Sequence, residues 1–181
     1  MTARNPPAVA VTVARPAERD TLANLFQLYI HDFSEHWAGT ARGELDGDGR
    51  FPDDPHLDSY WREPDRIPLL LRVEGHLVGF ALLNAVAHSG RPVERSMAEF
   101  FVVRKHRRSG VGTVAAQTVF GRYPGRWEVA VARRNTGALE FWRTTITRHP
   151  LATEVEESDV VNDAWDGTIF RFRIENSAAS S

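Results

Sequence analysis

Two kinds of apolar pattern alternate along the chain. Runs of apolar and β-branched residues predict strands, and apolar residues spaced three or four apart predict amphipathic helices. The strands are predicted at residues 9–13, 68–73, 76–83, 98–103, 126–132, 153–155 and 168–174. The helices are predicted from Pro16 to about Ser34, over residues 111–122, and from residue 135 or 136 to about 148.

The segment from residue 38 to residue 66 interrupts this pattern. It is rich in Gly, Asp and Pro turn signals, and only residues 57–61 predict a short helix, capped by Asp53 or Asp54. Loops of roughly thirty residues are uncommon in compact domains and often cover binding sites. Two interpretations therefore stay open, a binding lid and a plain surface insertion. With the short helix included, the predicted order is β-α-α-β-β-β-α-β-α-β-β.

Composition places the chain among ordinary globular proteins. Its 181 residues, 42% hydrophobic and 25% charged, fit a single domain spanning 1–181 and ordered over about 9–175. The absence of cysteine excludes disulfides, a thiolate nucleophile and a cysteine-based zinc site. The net charge of −2 argues against a general nucleic-acid binder. Without a signal peptide or a long apolar run, we expect a cytoplasmic protein that does not contact a membrane.

One stretch, residues 98–113, combines a strand, a basic loop and the start of a helix. The first turn of a helix has unpaired N–H groups and the positive end of the peptide dipole, so it can bind an anion. Gly110 and Gly112 leave room for a diphosphate beside these amides, and Arg107 and Arg108 add charged donors. The stretch predicts a diphosphate site. The alternative is an ordinary strand-to-helix connection with a solvated basic loop. It matches neither a P-loop nor a Rossmann fingerprint.

This stretch resembles motif A of the GNAT superfamily of N-acetyltransferases, in which R/Q-x-x-G-x-G/A follows a strand and opens a helix. The next strand, at 126–132, is followed by Asn135-x-x-Ala138-x-x-Phe141-Trp142, which is similar to the family's next motif. Two motifs in the right order are far more specific than either alone. The resemblance is close over about 67–148. It implies an α/β (α+β) fold with a mixed, mainly antiparallel central sheet and helices on both faces.

The resemblance also implies an activity, acetyl-coenzyme A (acetyl-CoA)-dependent transfer of an acetyl group directly to the amine of an unidentified acceptor. The backbone of the motif A strand would pair with the pantetheine arm, and the following loop would bind the pyrophosphate. The positions that it assigns to the cofactor are Phe101, Val102, Val103, Arg107, Arg108, Ser109, Gly110, Val111, Gly112, Thr113, Asn135 and Phe141.

Glu99 is the candidate catalytic base, because many family members carry a glutamate three positions before the residue that matches Val102. A carboxylate within an apolar strand is costly unless it is paired or functional, and burial raises its pKa toward a range useful for accepting an amine proton. The alternative is a structural glutamate that points outward or pairs with Arg95 or Arg72.

Trp142 departs from the family pattern, which often has a tyrosine there to protonate the leaving thiolate. An indole N–H cannot act as a general acid. Either the thiolate leaves unassisted or another residue takes the role, and a catalytically silent CoA-binding or regulatory module is the second interpretation. A nucleic-acid-binding domain using residues 104–108 ranks third, since the basic cluster is short and the chain is net acidic.

The acceptor side is expected to include Tyr29, Asp32 and Tyr60. Carboxylates are frequent in the first helix and the following loop, which favours a cationic amine, although solvated acidic turns are the plainer explanation. The expected acceptor is a small molecule or a peptide, with no nucleic acid, no membrane and no metal. The protein is expected to be a monomer or a homodimer.

Overall fold

The computed structural model describes residues 7–163 and 165–177, and its elements follow the predicted order. The strands are β1 (Val9–Val13), β2 (Ile67–Val73), β3 (His76–Asn84), β4 (Arg95–Val102), β5 (Gly125–Ala132), β6 (Ala152–Val161) and β7 (Asp166–Ile174). The α-helices are α1 (Arg19–Phe33), α2 (Val111–Arg122) and α3 (Thr136–Thr147). Short 3₁₀ helices cover Pro16–Glu18, Ser34–Trp37, Leu57–Trp61 and Arg104–His106. The second helix of the predicted order is therefore a 3₁₀ turn rather than an α-helix.

The strands form one seven-stranded sheet in the order β1-β2-β3-β4-β5-β7-β6. Every neighbouring pair is antiparallel except β4 and β5, which run parallel. This parallel pair is joined over two residue pairs alone, Arg95 with Trp127 and Ser96 with Glu128. Beyond these positions β4 and β5 diverge, so the sheet opens a gap in its middle. The predicted mixed, mainly antiparallel sheet is confirmed.

Helices cover both faces of the sheet. Strand alternation sends Leu69 and Leu71 to the face covered by α2 and α3, and Leu70 to the face covered by α1. All three side chains are fully buried. The sheet lies between these two apolar clusters.

The strand β6 is the largest difference from the sequence prediction, which placed a strand only at 153–155. The observed strand is ten residues long and exposed along most of its length. Among the described residues this edge strand pairs with β7 alone, and nearly all of its side chains are exposed, so the sequence shows no apolar alternation there. Its acidic residues instead pair with arginines of neighbouring elements, as Glu157 does with Arg143 and Asp159 with Arg133.

None of the described helices is long and apolar enough to cross a membrane.

Candidate functional site

The divergence of β4 and β5 creates a cleft of about 410 Å³, here called the strand cleft. It is lined by Glu99 and Phe100 from β4, Val129 and Val131 from β5, and Asn135 and Trp142 at α3. The β4 edge that faces it has no partner strand among the described residues beyond the two pairs with β5. An extended ligand can therefore pair with this edge as an added strand would.

The directions in which the backbone groups of β4 point show which of its residues can pair with a ligand in the gap. The N–H of Val103 donates to the Val78 carbonyl at 2.9 Å, so this residue is turned toward β3. Because backbone groups alternate in direction along a strand, Phe101 also faces β3, and Phe100 and Val102 face the gap. The open edge is thus offered by Phe100 and Val102, rather than by Phe101, Val102 and Val103 as predicted.

The loop between β4 and α2 presents a row of free amides. Arg108 and Gly110 both adopt positive φ values, 58° and 87°, which turn the chain into the helix. Within residues 7–163 and 165–177, the backbone N–H groups from Arg108 to Thr113 form no hydrogen bond. Residues 107–110 are exposed, and Val111, the first residue of α2, is buried. This geometry suits a bound anion.

Gly112 matters for the space beside these amides. A Cβ at this position would lie 3.3 Å from Cε2 of Phe141 and 3.8 Å from Cε1 of Phe100. The rings of Phe100 and Phe141 are stacked, with centroids 5.9 Å apart. Asn135 caps α3 by accepting a hydrogen bond from the Ala138 N–H at 3.1 Å and also lines the strand cleft. The motif that contains Gly112 and the motif that contains Asn135 and Phe141 therefore lie next to each other in the fold.

Asp32 was predicted to lie on the acceptor side, but it lines neither cleft. It braces this loop instead. Its carboxylate accepts hydrogen bonds from Arg104, at 2.9 Å, and from Arg107. Arg107 also donates to the Val102 carbonyl at 2.7 Å. Burial raises the pKa of Asp32, but the bonds from the two arginines outweigh it and hold the pKa below its usual range. Arg107 thus joins α1 to the end of β4, and any contact with a bound anion comes in addition to this bracing.

Replacing Asp32 with asparagine is expected to lower the free energy of unfolding by about 1–2 kcal/mol at pH 7, since charged hydrogen bonds to two arginines are lost. The lowered pKa means that this stabilisation is present above the unfolded-state pKa and disappears as the pH falls through the folded-state value. Urea unfolding at pH 7 and pH 3 measures both. Asp65→Asn, in an exposed turn, is the control and should match the parent protein. Equal losses for both variants would contradict the brace.

Glu99 is held by Tyr29. The Tyr29 hydroxyl donates a hydrogen bond to Oε2 of Glu99, which joins α1 to β4. The two arginines considered as partners are used elsewhere, because Arg72 pairs with Glu18 at 2.9 Å and Arg95 donates to the Glu94 carbonyl at 2.6 Å. Glu99 forms no ion pair with any described residue.

Burial, opposed by the Tyr29 hydrogen bond and assisted by the nearby Asp54 carboxylate, raises the pKa of Glu99 to about 7. The side chain is half-buried and lines both clefts. A carboxyl with a pKa near 7 exchanges protons readily at neutral pH, which suits a general base.

A second cleft, of about 440 Å³ and here called the loop cleft, lies on the other side of Glu99. It is lined by Phe26, Asp54, Tyr60, Arg66, Asn84 and Glu99. Its outer wall comes from the long loop, whose helix at Leu57–Trp61 carries the buried Tyr60. This placement favours the binding-lid interpretation over a plain insertion. Burial raises the pKa of Tyr60 to about 12, so it remains a neutral phenol.

Several cleft residues gave no signal in the sequence. His88, from the loop before β4, lines both clefts and packs against Trp165 with the rings tilted and their centroids 4.5 Å apart. Asp54, Arg66 and Asn84 lie far apart in the chain or outside the matching motifs. Asp54 was predicted as a helix cap and as one of the loop carboxylates that favour a cationic amine; its Oδ1 accepts the His56 N–H at 2.6 Å, but the helix at Leu57–Trp61 has no side-chain cap. Only tertiary packing brings these residues together.

Trp142 is buried, with 6% of its surface exposed. Its indole packs edge-on against Phe100 and Phe141, at centroid distances of 5.1 and 4.8 Å. It therefore forms an apolar wall of the strand cleft. Among the described residues, no group of three or more His, Asp or Glu side chains is placed to hold a metal ion.

Comparison with known proteins agrees with this geometry. The family model described as Acetyltransferase (GNAT) family matches residues 22–145, about two thirds of the chain. A GNAT family acetyltransferase from Streptococcus agalactiae shares the fold at a TM-score of 0.63 and 11% identity, covering 93% of this chain and 96% of that one. No curated protein matches the chain.

Two further solved structures share the fold. An acetyltransferase from Thermus thermophilus has a TM-score of 0.60 and 16% identity, with 93% of this chain and 97% of that one covered. The yncA protein of Salmonella typhimurium, solved with its cofactor acetyl-CoA, has a TM-score of 0.53 and 12% identity, with 96% and 97% covered. At such identities the likeness shows the shared fold alone.

Proposed function

Because the chain belongs to the GNAT acetyltransferase family, we propose that it transfers an acetyl group from acetyl-CoA directly to the amine of a small-molecule or peptide acceptor. The observation that carries the proposal is the position of Glu99, whose side chain lines both clefts. A base at that boundary is within reach of an amine in one cleft and a thioester in the other. Family membership itself supports acyl transfer, and the amine acceptor is our extension of it.

The residues present fit acetyl-CoA. The free amides from Arg108 to Thr113 suit its pyrophosphate, and Gly112 leaves the space beside them open. The β4 edge at Phe100 and Val102 pairs with no described strand and suits the amides of the pantetheine arm, with the Val102 carbonyl also accepting a hydrogen bond from Arg107. When bound, acetyl-CoA supplies a thioester carbonyl that an amine can attack. The stacked Phe100 and Phe141 and the buried Trp142 keep water away from that end of the strand cleft.

In this proposal the loop cleft binds the acceptor. Its wall offers donors and acceptors from Tyr60, Arg66 and Asn84, and an apolar surface from Phe26. Glu99 accepts the proton that the amine nitrogen loses as its bond to the acetyl carbon forms, directly or through a water molecule. The bond between the acetyl carbon and sulfur breaks in the same reaction. Glu99 then releases the proton to solvent, which restores the carboxylate for the next cycle.

The tyrosines near the clefts are poor acids for the leaving thiolate. Burial raises the pKa of Tyr29 well above 10 and that of Tyr60 to about 12. Since Trp142 has no acidic hydroxyl, we expect the thiolate to leave without help from a tyrosine. The other candidate function, a silent CoA-binding module, is favoured by Trp142 alone. Turnover of acetyl-CoA with any amine would eliminate it.

The experiment that tests cofactor binding is thermal unfolding with increasing acetyl-CoA, free CoA and dephospho-CoA. A ligand at about one hundred times its dissociation constant adds ~2.7 kcal/mol to the stability of the folded state. We expect a clear rise in melting temperature with acetyl-CoA and CoA. No rise at millimolar acetyl-CoA would refute the proposed function. A positive result leads to a screen of amines for thiol release.

A further inference from the structure

Tyr29 is built into the fold more firmly than a substrate contact needs to be. Its ring packs against Phe26, Phe33 and Phe80, at centroid distances of 5.4, 5.6 and 5.9 Å. Two of these rings come from the same helix and one from β3, so the phenol is fixed from two elements. The direction of its hydroxyl, toward Oε2 of Glu99, is therefore set by packing.

We propose that Tyr29 is a positioning residue for the base, holding the Glu99 carboxyl in one orientation and favouring its ionised form. This inference rests on the proposed function, since it assigns Tyr29 a role in the same transfer reaction. It replaces the prediction from sequence that Tyr29 contacts the substrate.

The orientation follows from the hydrogen bond. Because the Tyr29 hydroxyl occupies Oε2, the other carboxylate oxygen is left to accept a proton at the boundary of the clefts. Among the described residues Glu99 has no second side-chain hydrogen bond that would turn it away. A single fixed donor thus limits the rotation of the carboxyl, which is what a base needs for a defined proton path.

The effect on ionisation follows from the surroundings. Burial and the Asp54 carboxylate both favour the protonated form of Glu99, and the Tyr29 hydrogen bond opposes them. The other titratable or charged groups of the two clefts are Arg42, His56, Tyr60, Arg66 and His88. Arg66 is already neutralised by Glu63 at 2.7 Å. Tyr29 is thus the hydrogen-bond donor on which the ionised form of Glu99 depends.

Tyr29 is unsuited to the other role open to a tyrosine in this place, protonation of the thiolate. Burial and the Glu99 carboxylate raise its pKa well above 10, so it holds its proton across the working pH range. That makes it a poor acid and a constant hydrogen-bond donor. Its one hydroxyl proton is directed at Glu99.

The deciding experiment measures the pKa of Glu99 itself, in protein carrying carbon-13 in its side-chain carboxyls. The Glu99 resonance is identified by its absence in Glu99→Gln. We expect a titration midpoint near 7 in the parent protein and a midpoint at least one pH unit higher in Tyr29→Phe, because the opposing hydrogen bond is gone. Tyr123→Phe removes a phenol outside both clefts and should leave the midpoint unchanged.

A second measurement connects this to the reaction. In Tyr29→Phe the acidic limb of the kcat/KM profile should move to higher pH by the same amount, with about tenfold lower activity at pH 6 and near recovery at pH 9.5. The dissociation constant of acetyl-CoA should not change. In a Glu99→Gln background, Tyr29→Phe should have no further effect on rate.

The outcomes separate the two proposals. An unchanged Glu99 midpoint in Tyr29→Phe overturns the positioning role, whether or not the protein transfers acetyl groups. An equal loss of rate at every pH, or an additive loss in the double variant, overturns it as well. A shifted midpoint without turnover of any amine supports the coupling of the two residues and refutes the proposed function instead.

Discussion

Replacing Gly112 with arginine is expected to abolish acetyl-CoA binding while the fold stays intact. The Cβ alone would lie 3.3 Å from Phe141, and the rest of the side chain would have to extend into the space beside the free amides. That space is where the proposed pyrophosphate lies. We expect the dissociation constant to rise at least one hundredfold, about 2.8 kcal/mol in binding free energy. Isothermal titration with acetyl-CoA measures it, and circular dichroism reports the fold.

The same helix supplies a matched control. Gly121→Arg places the same side chain in α2, at an exposed position where a Cβ would meet nothing within 4 Å. Its affinity for acetyl-CoA should equal that of the parent protein. Gly112→Ala should bind with only a modest loss, because the Phe141 ring has to shift by a few tenths of an ångström. Tight binding by Gly112→Arg would show that the cofactor lies elsewhere.

Replacing Glu99 with glutamine is expected to slow acetyl transfer by about one hundredfold or more at neutral pH, the range typical of a lost general base. The effect should be largest above about pH 7, where the Glu99 carboxyl is ionised and can accept a proton, and should shrink as the pH falls and the carboxyl becomes protonated. Glutamine keeps the shape of the side chain and can still accept the Tyr29 hydrogen bond, so affinity for acetyl-CoA should not change. Thiol release with a reactive amine measures the rate. Glu44→Gln, in an exposed part of the long loop, is the control.

Stability gives an independent measure of the same group. The pKa of Glu99 is about 7 in the folded protein, against an ordinary 4.5, so the folded state binds this proton more tightly than the unfolded chain. The free energy of unfolding therefore falls as the pH rises from about 4.5 to 7 and is constant above that. Because glutamine cannot ionise, Glu99→Gln should melt at a higher temperature than the parent protein at pH 8.

The difference in melting temperature should vanish below pH 4, where both side chains are neutral. Equal melting temperatures of Glu99→Gln and the parent protein at pH 8 would mean that ionisation of Glu99 does not destabilise the folded state. If the turnover of Glu99→Gln equalled that of the parent protein at every pH, Glu99 would be a structural residue. The two readouts together separate a base from a residue that only supports the fold.

Much of this protein was determined by local sequence. The alternation in residues 9–13 and the apolar runs at 68–73 and 76–83 predicted three strands, and the turn at Glu74–Gly75 joins the last two with positive φ at both positions. The helix over Val111–Arg122 has the predicted bounds, because glycine before it and apolar spacing within it are local signals. The two motifs of the family were likewise contiguous runs, so they could be recognised without knowledge of the fold.

The tertiary structure decided what contiguous patterns cannot encode. The pairing of Tyr29 with Glu99 and of Asp32 with Arg107 joins residues about seventy positions apart, as α1 packs beside the end of β4. The length of β6 was hidden because an exposed edge strand needs no apolar alternation. The pKa of Glu99 likewise depends on how deeply its carboxyl is buried. Its apolar neighbours in the sequence indicated burial but could not give its extent. Local signals thus determine which elements form, and packing decides which side chains share a site.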